Sequence, residues 1–298
     1  MKTSTWIILV LVLIAVILGG IFYLANRTNG QIQTGGRTRR YLLYVPDSYD
    51  PEEPSPLVIT IHGFAQWPAH QQRLSGWNQL ADEDGFLVVY PRGTGFPLRW
   101  NAGPLEEDLE KTQGEVEFIS DLIDQLSETY TIDQDRIYVN GMSNGGGMTQ
   151  LLACQLSERM AAYGGVAGAY LYQDDHCQPQ QAVPWIAFHG EDDPIVPYLG
   201  GSSQGRHANI QFPAIESWIA KWAAHNHCDP DPALAAITPN VTRFTYSSCD
   251  QDVEVQLYRI ADAGHTWPGG GQLPVWLTGK TNQEIDATAL MWDFFQDY

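Results

Sequence analysis

The chain has 298 residues and sets 16 Lys and Arg against 35 Asp and Glu, a formal charge of −19 at pH 7. So acidic a surface repels phosphate backbones and anionic lipid, which argues against nucleic acid as a partner. The length suits one large domain or two small ones and is ample for a sizeable core.

The first element is an apolar run from Trp6 to Ala25, with no charge between Lys2 and Arg27. A helix of about 20 such residues spans a hydrocarbon layer of about 30 Å. The run exceeds the usual apolar stretch of a signal peptide, and no clear small-x-small cleavage site follows it. An uncleaved anchor is therefore favoured over a cleaved signal peptide, and either one exports the rest of the chain. The expected organisation is a signal anchor or signal peptide over 1–30 and one enzyme domain over 31–298. The product is expected to be secreted or held at the outer face of the plasma membrane, as a monomer. Residues 26–36, NRTNGQIQTGG, read as a polar tether.

Beyond the tether, strand and helix patterns alternate. RRYLLYVP is a candidate strand with partial alternation ended by a proline, and PLVITIHG and GFLVVYPRG are short β-branched runs closed by glycine, the mark of buried strands. EVEFISDLIDQLSETY sets Val116, Ile119, Ile123 and Leu126 on one helical face. RIYVNG is a further strand, and NGGGMTQLLACQLSERM a helix with a small-residue start. YGGVAGAY and PWIAFHG supply two more strands, PAIESWIAKWAAH an amphipathic helix, VEVQLYRI a late strand and NQEIDATALMWDFFQDY a closing helix. The tract 227–250 reads as a long excursion. This alternation predicts an α/β fold, a mostly parallel central sheet with helices on both faces. Ligands of such sheets sit outside the carboxyl ends of the strands.

Two stretches match G-x-S-x-G: GMSNG around Ser143 and GSSQG around Ser203. Ser143 follows a strand and precedes a helix, so it stands at a carboxyl edge where free helix N–H groups favour a developing anion. Ser203 lies in a loop with no strand before it, which makes Ser143 the candidate nucleophile. A serine hydroxyl needs a base, and the base an orienting acid. In the chain order serine, acid, histidine, the acid falls in HGEDDPIVPY: Asp193 is preferred, with Asp192 and Glu191 as rivals. Of eight histidines, His265 alone follows Asp193 just past a strand. Two N–H donors must hold the oxyanion, and the candidates are Asn144, after the nucleophile, and Phe64 in HGFAQ. Gln66, Trp100, Asn101 and Trp267 are assigned to the substrate cleft, the aromatic faces suiting sugar rings or phenolic acyl groups. Four cysteines allow three pairings. The pairing that closes the shorter loops, Cys154–Cys177 and Cys228–Cys249, is preferred.

Seven blocks in order, ITIHGFAQ, VVYPRG, RWNAG, RIYVNGMSNGG, HGEDDPIVPY, GHTWPGG and ALMWDFF, resemble the polyhydroxybutyrate depolymerase-like and feruloyl esterases of carbohydrate esterase family 1. The resemblance runs from about Arg39 to Tyr298. It implies an α/β-hydrolase fold, a triad of Ser143, Asp193 and His265, and no metal or cofactor. The two preferred disulfides match bridges that such enzymes can carry. The chain departs from the family at Phe64, where a cysteine is common, at Gly114-Glu115, where two aspartates are common, and at Gly147. The expected substrate is a feruloyl or acetyl ester on plant polysaccharide, with hydroxyalkanoate oligomers as the alternative. A catalytically inactive binding protein on the same scaffold is a second alternative.

Overall fold

The computed structural model describes residues 27–103, 109–172, 176–203 and 210–298, with isolated positions nearer the N-terminus. The apolar run from Trp6 to Ala25 lies largely outside the described residues. No helix among those described is long and apolar enough to cross a membrane.

The strands are β1 (Gly30–Thr34), β2 (Arg37–Tyr44), β3 (Ser55–Ile61), β4 (Leu87–Pro91), β5 (Ile132–Met142), β6 (Ala162–Val166), β7 (Trp185–Gly190), the short pair β8 (Gly201–Ser202) and β9 (Gln211–Phe212), then β10 (Ala233–Thr238), β11 (Val241–Tyr246) and β12 (Val255–Ile260). The helices are α1 (Pro68–Ser75), α2 (Trp77–Asp84), α3 (Leu109–Thr129), α4 (Asn144–Gln155), α5 (Ile215–His225), α6 (Val275–Thr278) and α7 (Ala287–Phe295).

Ten strands form one sheet in the order β1-β2-β4-β3-β5-β6-β7-β12-β11-β10. The central run from β4 to β12 is parallel, and antiparallel strands finish both edges. β3, β4, β6 and β7 are buried along their whole length. That is why their sequences are dominated by apolar residues and glycine instead of alternating. One face packs against α3, α4 and α5 through residues such as Phe118, Leu151 and Trp218. The other packs against α1, α2 and α7 through Trp77, Met291 and Phe295.

Two readings of the sequence need correction. Residues 30–34 are no tether: Gly30 to Thr34 pair antiparallel with β2, and polar GQIQT suffices because this edge strand buries only alternate residues. The tract 227–250 folds as the β10–β11 hairpin and extends the sheet beyond β12. Cys228–Cys249 closes its base, and Cys154–Cys177 ties the end of α4 to the segment between β6 and β7.

Candidate active site

β5 runs to Met142, and the chain turns at Ser143 into α4. Ser143 holds φ 56° and ψ −119°. Such a conformation costs a non-glycine residue on the order of 1–3 kcal/mol and persists only where its surroundings impose it. Here the Ser143 N–H donates to Val166 O at 3.0 Å, and its carbonyl accepts from Gly147 and Ala169 N–H at 3.1 and 2.9 Å. The turn also lies tight against β3. A Cβ on Gly145 would sit 2.2 Å from Ile61 O, and one on Gly141 would sit 2.3 Å from Gly145 O. The two glycines of the motif therefore follow from backbone contact. The Ser143 hydroxyl makes no helix-cap hydrogen bond, unlike an ordinary N-terminal serine, and the residue is half-buried.

The acid comes from the turn after β7. Asp193 Oδ1 accepts the N–H groups of Ile195 and Val196, both at 2.8 Å, and Oδ2 accepts from His265 Nδ1 at 2.7 Å. The rivals Glu191 and Asp192 are exposed, whereas the Asp193 side chain is wholly buried. Burial alone would raise the Asp193 pKa. The neighbouring His265 imidazole and the hydrogen bonds from His189 and His265 outweigh it and hold the carboxyl well below its ordinary value. A second imidazole stands beside this carboxylate. His189 Nε2 donates to Val196 O at 2.9 Å and lies 3.4 Å from Asp193 Oδ2. The sequence reading missed this role of His189, although the spacing of H-G-x-x-D at a strand end carries the signal.

His265 follows β12. Its loop is strapped by the end of α6 and the residues just after it, with Gly264 N–H donating to Lys280 O at 2.9 Å and His265 N–H to Thr278 O at 2.6 Å. Donation from Nδ1 to the carboxylate fixes the tautomer and leaves Nε2 to accept a proton. Ser143, Asp193 and His265 thus follow the carboxyl ends of three parallel strands, β5, β7 and β12, at one edge of the sheet.

Asn144 is the first residue of α4, so its N–H has no intrahelical acceptor. Phe64 lies in the loop after β3 with 41% of its surface exposed. His62, two residues before Phe64, is fully buried. Gly93 N–H donates to His62 Nε2 at 3.0 Å, so the neutral ring carries its proton on Nδ1, 2.8 Å from Gly63 O. Burial is the main cause that brings the His62 pKa down to about 4.

The assignments to the substrate cleft fare differently. Trp267 is 0% exposed, its indole N–H donates to Thr288 Oγ1 at 3.0 Å, and its ring belongs to the core beneath α7. Trp100 is 3% exposed and donates from its indole to His62 O at 3.0 Å. Both were expected at the cleft surface, and both instead pack behind it, since each indole finds its hydrogen bond inside the fold. Asn101 is half-buried and donates to Glu115 Oε1 at 2.7 Å. Gln66 is half-buried and closes its own loop by accepting the Gly63 N–H at 2.9 Å.

A family model described as Esterase PHB depolymerase matches residues 39–196. A bifunctional acetylxylan esterase/xylanase of Neocallimastix patriciarum is 28% identical over 247 residues, 81% of this chain and 33% of its own length. Feruloyl esterase B of Piromyces equi is 29% identical over 245 residues, 79% of this chain and 44% of its own length. The chain thus spans less than half the length of these two relatives. Among solved structures, an acetyl xylan esterase from Aspergillus awamori superposes with a TM-score of 0.59 at 18% identity, covering 80% of this chain and 93% of that one. At that identity the likeness is one of fold.

Proposed function

The chain belongs to the Esterase PHB depolymerase family, and from that premise we propose that it is a serine carboxylic ester hydrolase working through an acyl-enzyme. His265 Nε2 takes the Ser143 proton as Oγ attacks the ester carbonyl. Asp193 holds the imidazole in the required tautomer and stabilises the imidazolium. The N–H groups of Asn144 and Phe64 receive the oxyanion. The alcohol leaves with the proton from His265, and water then cleaves the acyl-enzyme by the same steps. The observation that carries this reading is the 2.7 Å bond between His265 and a buried Asp193, at the sheet edge where Ser143 holds a strained turn.

The preferred substrate is a feruloyl or acetyl ester carried by plant polysaccharide, in line with the two relatives compared above. The family description favours hydroxyalkanoate oligomers as the second reading. Two disulfides support an oxidising compartment outside the cytoplasm. The domain over 31–298 is the enzyme, reached after export directed by 1–30.

The test is hydrolysis of p-nitrophenyl acetate by the full chain and by Ser143→Ala, expected to differ on the order of 10⁶-fold in kcat. Equal rates would leave a binding protein on an esterase scaffold. Methyl ferulate, acetylated xylan and hydroxybutyrate oligomers, compared by kcat/KM, decide the substrate.

A further inference from the structure

Glu115 is a carboxylate in the interior, its side chain 2% exposed, and Arg39 beside it is 8% exposed. Burying such a pair gains little stability over an apolar pair of the same size, so its connections are informative. Arg39 donates to Glu115 Oε2 at 2.8 Å, and its guanidinium stands 3.9 Å over the Phe118 ring. The other oxygen, Oε1, faces the loop after β4. It accepts from Asn101 Nδ2 at 2.7 Å, and from Asn101 N–H and Thr94 Oγ1 at 3.4 Å each. One residue earlier, Trp100 is gripped from the active site itself. Its N–H donates to Asn144 Oδ1 at 2.7 Å, and its carbonyl accepts from Asn144 Nδ2 at 3.1 Å. Its indole donates to the carbonyl of His62, two residues before Phe64.

Both residues assigned to the oxyanion are thus tied to Trp100, one by side chain and one through its own loop. Trp100 is held in turn by a single buried carboxylate through Asn101. We propose that Glu115, fixed by Arg39, is a positioning residue for the oxyanion amides, acting through Asn101, Trp100 and Asn144. The inference rests on the esterase reading. It reassigns Asn101 from substrate contact to the positioning chain. A displacement of an ångström in preorganised donors is enough to matter, because their contribution depends on being aimed before the reaction begins.

Asn101→Ala cuts the chain at its middle and leaves the Arg39–Glu115 pair intact. In the full-length protein, hydrolysis of p-nitrophenyl acetate is expected to lose roughly 10-fold to 10²-fold in kcat, with KM little changed. Inhibition by phenyl trifluoromethyl ketone, which forms a tetrahedral oxyanion on the serine, is expected to weaken by the same factor as kcat/KM. Arg39→Met combined with Glu115→Leu replaces the pair by apolar groups that can keep the fold, and its kcat is expected to fall alike with the melting temperature held. Retention of full kcat by either folded variant overturns the inference. So does a raised KM at unchanged kcat, which would return Asn101 to substrate binding. A wild type no faster than Ser143→Ala overturns the esterase reading and this inference together, whereas a fast wild type with unaffected variants sinks the inference alone.

Discussion

Asp193 uses its two oxygens for different tasks. Oδ1 is held by the Ile195 and Val196 N–H groups, and Oδ2 faces His265 Nδ1. In Asp193→Asn the same two N–H groups keep the remaining oxygen at the Oδ1 position and turn the NH₂ toward His265. Nδ1 must then accept, the proton moves to Nε2, and the ring can no longer act as a base. We expect kcat to fall by about 10⁴-fold, with a melting curve close to wild type, and a variant that keeps most of its kcat would refute the tautomer argument. These three residues were legible in the sequence because each is punctuated: glycines flank Ser143, a proline follows Asp193, and His265 comes just past the last strand. Trp100 and Trp267 were not. An indole in a loop next to a site reads the same whether it faces solvent or core, and only the partners of its N–H decide.

At the scale of elements, the parallel strands were visible because burial on both faces makes them rich in apolar residues and glycine. The edges were not. β10 is ALAAIT with no buried residue, and β1 is GQIQT, so neither offers the pattern of a core strand. The β10–β11 hairpin depends instead on its pairing with β12 and on Cys228–Cys249, whose partners lie 21 residues apart. Closing a loop of that size stabilises by roughly 3 kcal/mol through the unfolded chain. Replacing both cysteines by alanine is therefore expected to lower the melting temperature by several degrees while leaving kcat unchanged, since the hairpin lies beyond β12 on the side away from Ser143. A loss of kcat at temperatures where the variant stays folded would mean that the hairpin shapes the site. The turn at Ser143 is the contrasting element: Gly145→Ala drives a Cβ into the carbonyl of Ile61. It should cost about 3 kcal/mol or more in a urea melt, and a wild-type midpoint would show that the turn can move.

For the whole molecule, acid sets two effects against each other. The charge of −19 at pH 7 shrinks toward the isoelectric point near 4.6, which relieves repulsion across the surface. His62 acts the other way. Its pKa falls from 6.5 to about 4 on folding, so the unfolded chain binds the extra proton first. Stability is then complete above pH 6.5 and declines as the pH drops through the window to 4, by about 3 kcal/mol. Asp193, also depressed, extends the loss to still lower pH. His62→Gln can still accept the Gly93 N–H and does not titrate. Its unfolding free energy should vary about 3 kcal/mol less between pH 7 and pH 4 than that of wild type, and the comparison cancels the surface charge common to both. Equal slopes would show that His62 opens to water before it is protonated. The amino-acid sequence by itself determined the class of fold, the order in which Ser143, Asp193 and His265 follow their strands, and the turn that carries the serine, because glycine, proline and hydrophobic period act over a few neighbours. Only the tertiary structure decided which tryptophans are interior, that two imidazoles flank Asp193, and that Glu115 holds Asn101 beside the Trp100–Asn144 contact. Those facts depend on contacts between segments dozens of residues apart, where a side chain's surroundings are set by the packing of the whole sheet.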